Sequence, residues 1–233
     1  MDLSNELVPI ISRQSIEKIA TEFLEKYCPE ALEKPIEVPI EDIVELGMGL
    51  EIDYVNIERD CGILGMMIFS DGYVELYDGL EGKNTISFYK KGSLLVESAL
   101  CEDINRGRER FTITHEAIHW YLHQLRFMIL SYKDGNASKA FRCPAEKVYI
   151  PRNADEWIEW QADNIAAAVL MPKEPFKLKA KELIDMYTSI YGFEGELLKT
   201  CVIDTLADKF QVSKQAAGIR LEALKILGDR VIV

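Results

Sequence analysis

The segment His115-Glu116-Ala117-Ile118-His119 constrains this chain more than any other, because it sets two of only three histidines four residues apart around a carboxylate. On an α-helix, residues at that spacing share a face with Cβ atoms ~5–6 Å apart, close enough for two imidazoles to close on one metal ion. The H-E-x-x-H order is that of zinc hydrolases. Neutral imidazole nitrogens serve as ligands, and the glutamate, here Glu116, takes the proton of a metal-activated water. Ile118, Tyr121, Leu122 and Leu125 supply an apolar stripe, so a helix is expected from about residue 106 onward, packed on a core.

Catalytic zinc takes three protein ligands and leaves a fourth position open. His123 continues the four-residue spacing, but histidines at i, i+4 and i+8 span ~12 Å of helix at ~1.5 Å per residue. One ion cannot touch all three on an unbroken helix, and Trp120-Tyr121-Leu122 lacks the glycine that turns the chain where a third histidine is recruited. His123 is therefore expected to be structural or to stand behind a ligand. A second helix is expected from Asn153, whose spacing to Glu156 matches a capping box, to Pro172, with Ile158, Ala162, Ile165, Ala166 and Val169 as its buried face. It carries Glu159 and Asp163 four apart. Spacing alone leaves two possibilities open: a solvated acidic face, or a His-His-Glu site in which Asp163 accepts a hydrogen bond from a ligating histidine.

Elsewhere, residues 15–27 read as an amphipathic helix behind Ser15, and residues 41–46 as a brief helix stopped by Gly47. Strands are expected at residues 50–55, 62–70, 73–77 and 85–89, the middle two joined as a hairpin by Asp71-Gly72. Residues 126–152 lack periodicity and read as an irregular excursion. The last 40 residues offer two amphipathic helices joined by a tight turn near Val212-Ser213, the cadence of a helix-turn-helix. The expected fold is α+β. A small, mainly antiparallel sheet packs on a helical bundle that carries the motif helix, and a helical subdomain follows it. The expected division is residues 1–34, 35–195 and 196–233.

Apolar residues make up 48% of the 233 and charged residues 28%, and no apolar run approaches the ~20 residues that span a bilayer, so no membrane span is expected. The start lacks the basic flank and apolar core of a secretory signal, and the five scattered cysteines contain no C-x-x-C pair. A cytoplasmic location is expected. A net charge of −12 opposes direct nucleic-acid binding, and from Lys199 to Leu227 five basic residues face three acidic ones, without a dense cationic stripe. The basic run at residues 106–110 is expected to be a solvated first turn, and Trp157 and Trp160 to be packing residues.

Two longer segments carry a resemblance. Arg110-Phe111-Thr112-Ile113-Thr114-His115-Glu116-Ala117-Ile118-His119-Trp120-Tyr121-Leu122-His123 is followed by Glu159-Trp160-Gln161-Ala162-Asp163-Asn164-Ile165-Ala166-Ala167-Ala168-Val169-Leu170-Met171-Pro172. In that order they resemble the signatures of the ImmA/IrrE family of metallo-endopeptidases. The resemblance implies a zincin-like domain with a thermolysin-like site, in which His115, His119 and Glu159 are the metal ligands and Glu116 is the general base. It implies zinc, with manganese as the other candidate, and a protein substrate such as a helix-turn-helix repressor of a mobile element or stress response. The alternative is a catalytically weak or silent member that binds a partner through the same cleft. The chain departs from the family pattern at Ile118, where glycine is usual, at Asp163, where asparagine is usual, and in a longer spacer between the motifs. An oxyanion donor is expected as well, with Tyr121, Tyr132 and Tyr149 available.

Overall fold

The computed structural model describes residues 3, 4, 6–101, 106–134, 140–144 and 151–226, the side chains of 131–134 and 140–144 excepted. Helices α1 (Ser15–Tyr27), α2 (Glu30–Glu33) and α3 (Ile40–Asp42) come first, the last continued by a π turn over Ile43–Gly47. Strands β1 (Glu51–Val55), β2 (Ile63–Ile68), β3 (Gly72–Asp78), β4 (Lys83–Tyr89) and β5 (Ser93–Glu97) follow, then a 3-10 turn at Ser98–Cys101. Beyond them lie α4 (Arg106–Asp134), β6 (Ala140–Pro144), α5 (Ala154–Leu170), α6 (Lys173–Tyr191), α7 (Gly195–Phe210) and α8 (Lys214–Ala223). The fold is α+β, with a small, mainly antiparallel sheet beside eight helices among the described residues. The chain separates into two compact units, Met1–Ile16 with Ile40–Ala166, and Glu17–Pro39 with Ala167–Val233.

The first unit is built on a sheet of order β1-β5-β2-β6, in which β1 runs parallel to β5 and the other pairs are antiparallel. The expected hairpin of residues 62–70 with 73–77 does not form. β3 pairs instead with β4, from Gly72 opposite Tyr89 to Asp78 opposite Lys83. The turn that works is residues 79–82, where the Asp78 side chain accepts from the Leu80 amide at 2.8 Å and Gly82 takes a left-handed φ of +67°. Asp71 has another task, accepting the Lys91 amide at 2.8 Å where the chain leaves one sheet for the other. One face of the hairpin, Val74 and Leu76, packs with Ile57, Met66, Ile68 and Leu95.

α4 lies against β2 and β5. It runs on to Asp134, past the point where the sequence pattern fades, and β6 adds a strand beyond β2, so the stretch read as irregular contributes structure at both ends. Residues 135–139 and 145–150 of that stretch are outside the described residues. The expected stripe on α4 also needs correction: Leu125 is exposed, whereas His123, Arg126 and Phe127 are buried. Arg110, expected in a solvated turn, is fully buried, with Nη1 3.2 Å from Glu41 Oε2. Ile118 is completely buried, Trp160 is buried and Trp157 is half-exposed.

In the second unit α6 packs on α2 and α7, and α7 packs on α8. The turn between the last two places Gln211 at a left-handed φ of 51°, after which Ser213 caps α8 by accepting the Ala216 amide at 3.1 Å. Three of the five basic residues in this region are engaged internally: Lys199 with Glu222, Lys214 with Asp204, and the buried Arg220 with Glu17. None of the helices in the described residues is long and apolar enough to cross a membrane.

Candidate metal centre

Between Thr112 and His119 every residue of α4 is buried, so its polar side chains must find partners inside the protein. α5 brings those partners. Its start is fixed by the expected capping box, with the Glu156 amide donating to Asn153 Oδ1 at 2.9 Å and Glu156 Oε2 accepting the Arg152 amide at 2.7 Å. Its expected apolar face is buried as the periodicity requires, with Ile158, Ala162, Ile165, Ala166 and Val169 all at 0% exposure. Glu159 and Asp163 are thereby carried to the histidines.

His115, His119 and Glu159 each offer a ligand atom within 4.8 Å of the other two. The Nε2 atoms of His115 and His119 are 2.8 Å apart, and Glu159 oxygens lie 3.4 Å from the first and 3.2 Å from the second. Behind this triad, His115 Nδ1 is 3.1 Å from Asp163 Oδ1. His119 Nδ1 is 3.0 Å from His123 Nδ1, and His123 Nε2 is 3.0 Å from Gln161 Oε1. Gln161 in turn donates from Nε2 to the Pro9 carbonyl at 2.7 Å.

Burial and charge tune these groups. Burial, with His115 alongside, lowers His119 to about 4, and burial with His119 alongside lowers His123 to about 3, so both imidazoles are neutral near pH 7. Burial would raise Glu159, but its contacts with His115 and His119 outweigh that and bring it down to about 2. Glu116 is pushed up to about 8 by burial, with Glu159 adding to the rise and His115 opposing it. Both Glu116 oxygens are buried without a side-chain hydrogen-bond partner among the described residues, the Met67 backbone only weakly opposing the rise in pKa, and Glu159 Oε1 has only the facing His119 Nε2 at 3.2 Å. Two imidazole nitrogens, one of them on the neutral His119, and the ionised carboxylate of Glu159 form a donor set suited to a divalent cation such as zinc. The residues present fit that ion.

Of the sequence candidates, then, His115, Glu116, His119, His123, Glu159 and Asp163 come together. Tyr121 does not join them, since two residues turn it ~200° around α4 from His119. The side chain of Tyr132 and the whole of Tyr149 are outside the described residues. Three residues escaped sequence reasoning. Gln161 and Pro9 are 152 positions apart and leave no pairwise trace in one sequence. Gly65 did leave one, a lone glycine inside a strand, which signals close backbone approach. A Cβ at Gly65 would stand 2.6 Å from Thr112 Cγ2 and 2.9 Å from Glu116 Oε1, so β2 lies directly against the side chain of Glu116.

An α+β fold that gathers two imidazoles and a carboxylate from two helices in its interior, with a second carboxylate beside them, has the make-up of a metallopeptidase. The chain belongs to the peptidase family described as the IrrE N-terminal-like domain, whose family model matches residues 100–222, just over half of its length. No curated protein matches the chain in sequence.

Proposed function

We propose that the chain is a zinc-dependent endopeptidase that cleaves a regulatory protein of the cytoplasm, a helix-turn-helix repressor being the expected substrate. The observation that carries this reading is the convergence of three ligand atoms within 4.8 Å beside a buried, unpartnered Glu116. His115 Nε2, His119 Nε2 and one oxygen of Glu159 would hold the ion. When bound, the ion supplies Lewis acidity that activates water and polarises the scissile carbonyl.

The chain's own residues do the rest. Asp163 accepts the Nδ1 proton of His115 and so keeps the Nε2 lone pair directed at the ion. Glu116 takes a proton from the attacking water on a carboxylate oxygen and returns it to the leaving amine nitrogen. A cation among the ligands favours the ionised form of Glu116 and opposes the rise that burial imposes. The wall of β2 at Gly65 holds the Glu116 side chain in one place. Manganese is the alternative ion, since the same nitrogen and oxygen donors accept it.

The test is cleavage of a small helix-turn-helix repressor encoded beside this gene by wild type and Glu116→Gln, with the products read by mass spectrometry. A single specific cut by wild type and none by the variant is expected. Equal cutting by both would remove Glu116 as the base. Binding without any cutting by wild type would favour a silent partner-binding module, a reading that the burial of His115 and His119, both at 0% exposure, also supports.

A further inference from the structure

From the His119 ligand a chain of hydrogen bonds runs out to the backbone of the N-terminal segment, and its far end has only one way to bond. The Pro9 carbonyl can accept but not donate, so the group 2.7 Å from it must be the amide NH2 of Gln161. That choice turns Gln161 Oε1, an acceptor, toward His123 Nε2 at 3.0 Å, so His123 carries its proton on Nε2. His123 is buried, and an imidazole holding a single ring proton on Nε2 presents Nδ1 as a bare lone pair. The facing His119 Nδ1, 3.0 Å away, must donate to it, which leaves the lone pair of His119 Nε2 directed at His115 and Glu159. A reversal would set the Gln161 oxygen against the Pro9 carbonyl in a buried site, whereas the lone pairs that this direction gathers at His119 Nε2, His115 Nε2 and Glu159 are ones that a cation between them would satisfy.

We propose that Gln161 is a positioning residue for the metal centre, acting through His123 to hold His119 in the tautomer that ligates, with the Pro9 carbonyl as the fixed end that sets the direction of the chain. The inference rests on the assignment of His119 as a ligand. It gives the N-terminal segment a role at the site. That segment is closed on itself by the Ser4 amide donating to the Val8 carbonyl at 2.8 Å, and Arg126 of α4 binds the Glu6 carbonyl. Gln161 supplies a second tether, from α5.

The experiment measures zinc affinity, by competition with a chromophoric chelator, for wild type, Gln161→Leu and Gln161→Glu. It also reads the imidazole tautomers by nitrogen-15 NMR of the wild-type protein, zinc-free and zinc-loaded. Gln161→Leu is expected to bind zinc about 10–100-fold more weakly, the usual cost of losing the partner behind a ligand. Gln161→Glu keeps an acceptor for His123 Nε2 but sets its other oxygen against the Pro9 carbonyl, so it is expected to lower the melting temperature while restoring part of that affinity. The NMR is expected to show His123 protonated on Nε2 in both forms and His119 on Nδ1 in the zinc-loaded form. Wild-type affinity in Gln161→Leu, or His123 protonated on Nδ1, would overturn the proposal. A merely structural Gln161 would lower the melting temperature of the leucine variant and leave both the affinity of the folded protein and the tautomers alone. Should Gln161→Leu fail to fold, the wild-type tautomers decide. No substrate is involved, so a protein that binds zinc through this chain yet cuts nothing would sink the peptidase reading alone. A protein that binds no zinc would sink that reading, while the zinc-free tautomer of His123, set by Gln161 and Pro9, still judged this one.

Discussion

Arg220 and Glu116 are both buried and both ionisable, yet their surroundings are opposite. Arg220 reaches both Glu17 oxygens, at 2.6 and 3.0 Å, and gives two further bonds to the Met171 carbonyl, at 3.1 and 2.9 Å. Glu116 has no side-chain partner for either oxygen among the described residues, and Glu159 beside it has for Oε1 only the facing His119 Nε2, at 3.2 Å. A buried group without its partner costs about 1–3 kcal/mol, more when charged. A side chain retained only for folding is expected to look like Arg220. One that waits for a ligand looks like Glu116 and Glu159, because the missing partner arrives from outside.

The largest effect that would break this comparison is on chemistry. Glu116→Gln is expected to lower kcat by about 10²–10⁴-fold, the ordinary worth of a general base, while the metal content stays at the wild-type level. The same variant removes an unpartnered acid from the interior, so the metal-free protein is expected to melt higher, not lower. A drop in melting temperature would mean that Glu116 serves the fold after all.

Acid sharpens the contrast between the two units, because all three histidines lie in the first. In the metal-free protein burial lowers His119 and His123 to about 4 and about 3. Below their unfolded value near 6.5 the unfolded chain takes up protons that the folded one does not. The histidine share of stability is therefore fully present above about pH 6.5 and falls as pH drops toward 4 and 3, by about 1.4 kcal/mol per pH unit for each such proton. Glu116, raised to about 8, acts in the opposite sense, and its share is removed by comparing with Glu116→Gln. Hydrogen exchange should show protection lost first in α4 and the start of α5. Uniform loss across both units would contradict the assignment to these histidines.

Gly65→Ala forces either β2 or Glu116 to move, and a displacement of about 1 Å can cost up to ~10²-fold in rate. Steady-state kinetics should show kcat reduced with KM and metal content little changed. Adding Thr112→Ser removes the nearest atom, the Thr112 methyl, but not the Glu116 contact, so stability should recover more than kcat does. Smallest in its effect on the site is Arg220→Met in the second unit, which leaves the Met171 carbonyl and the Glu17 carboxylate without Arg220 and should cost about 1–3 kcal/mol. That is roughly 2–12 °C in melting temperature for a chain of this size, with metal content and kcat untouched.

What could be read from the sequence follows the range of the interactions. The H-E-x-x-H spacing, the Asn153 to Glu156 cap and the buried face of α5 are local, and each falls where the helical repeat puts it. The pairing of Glu159 and Asp163 with the histidines came through motif resemblance, and the spacing alone left it open. β5 was missed because all five of its residues are buried, so it lacks the alternation that marks a half-exposed strand. Asp71-Gly72 has the residues of a hairpin turn, but β2 finds its partners in β5 and β6, and that tertiary choice overrides the turn. Arg110 read as solvated because its partner, Glu41, is 69 positions away.

The most direct test is the metal content of the purified protein, by elemental mass spectrometry, for wild type, Glu116→Gln and Glu159→Ala. About one zinc per chain is expected in the first two, as one ion completes one such site, and a clear loss in the third. Equal zinc in Glu159→Ala and wild type, or none in wild type, would contradict the claim that His115, His119 and Glu159 come together in this interior to hold a metal ion.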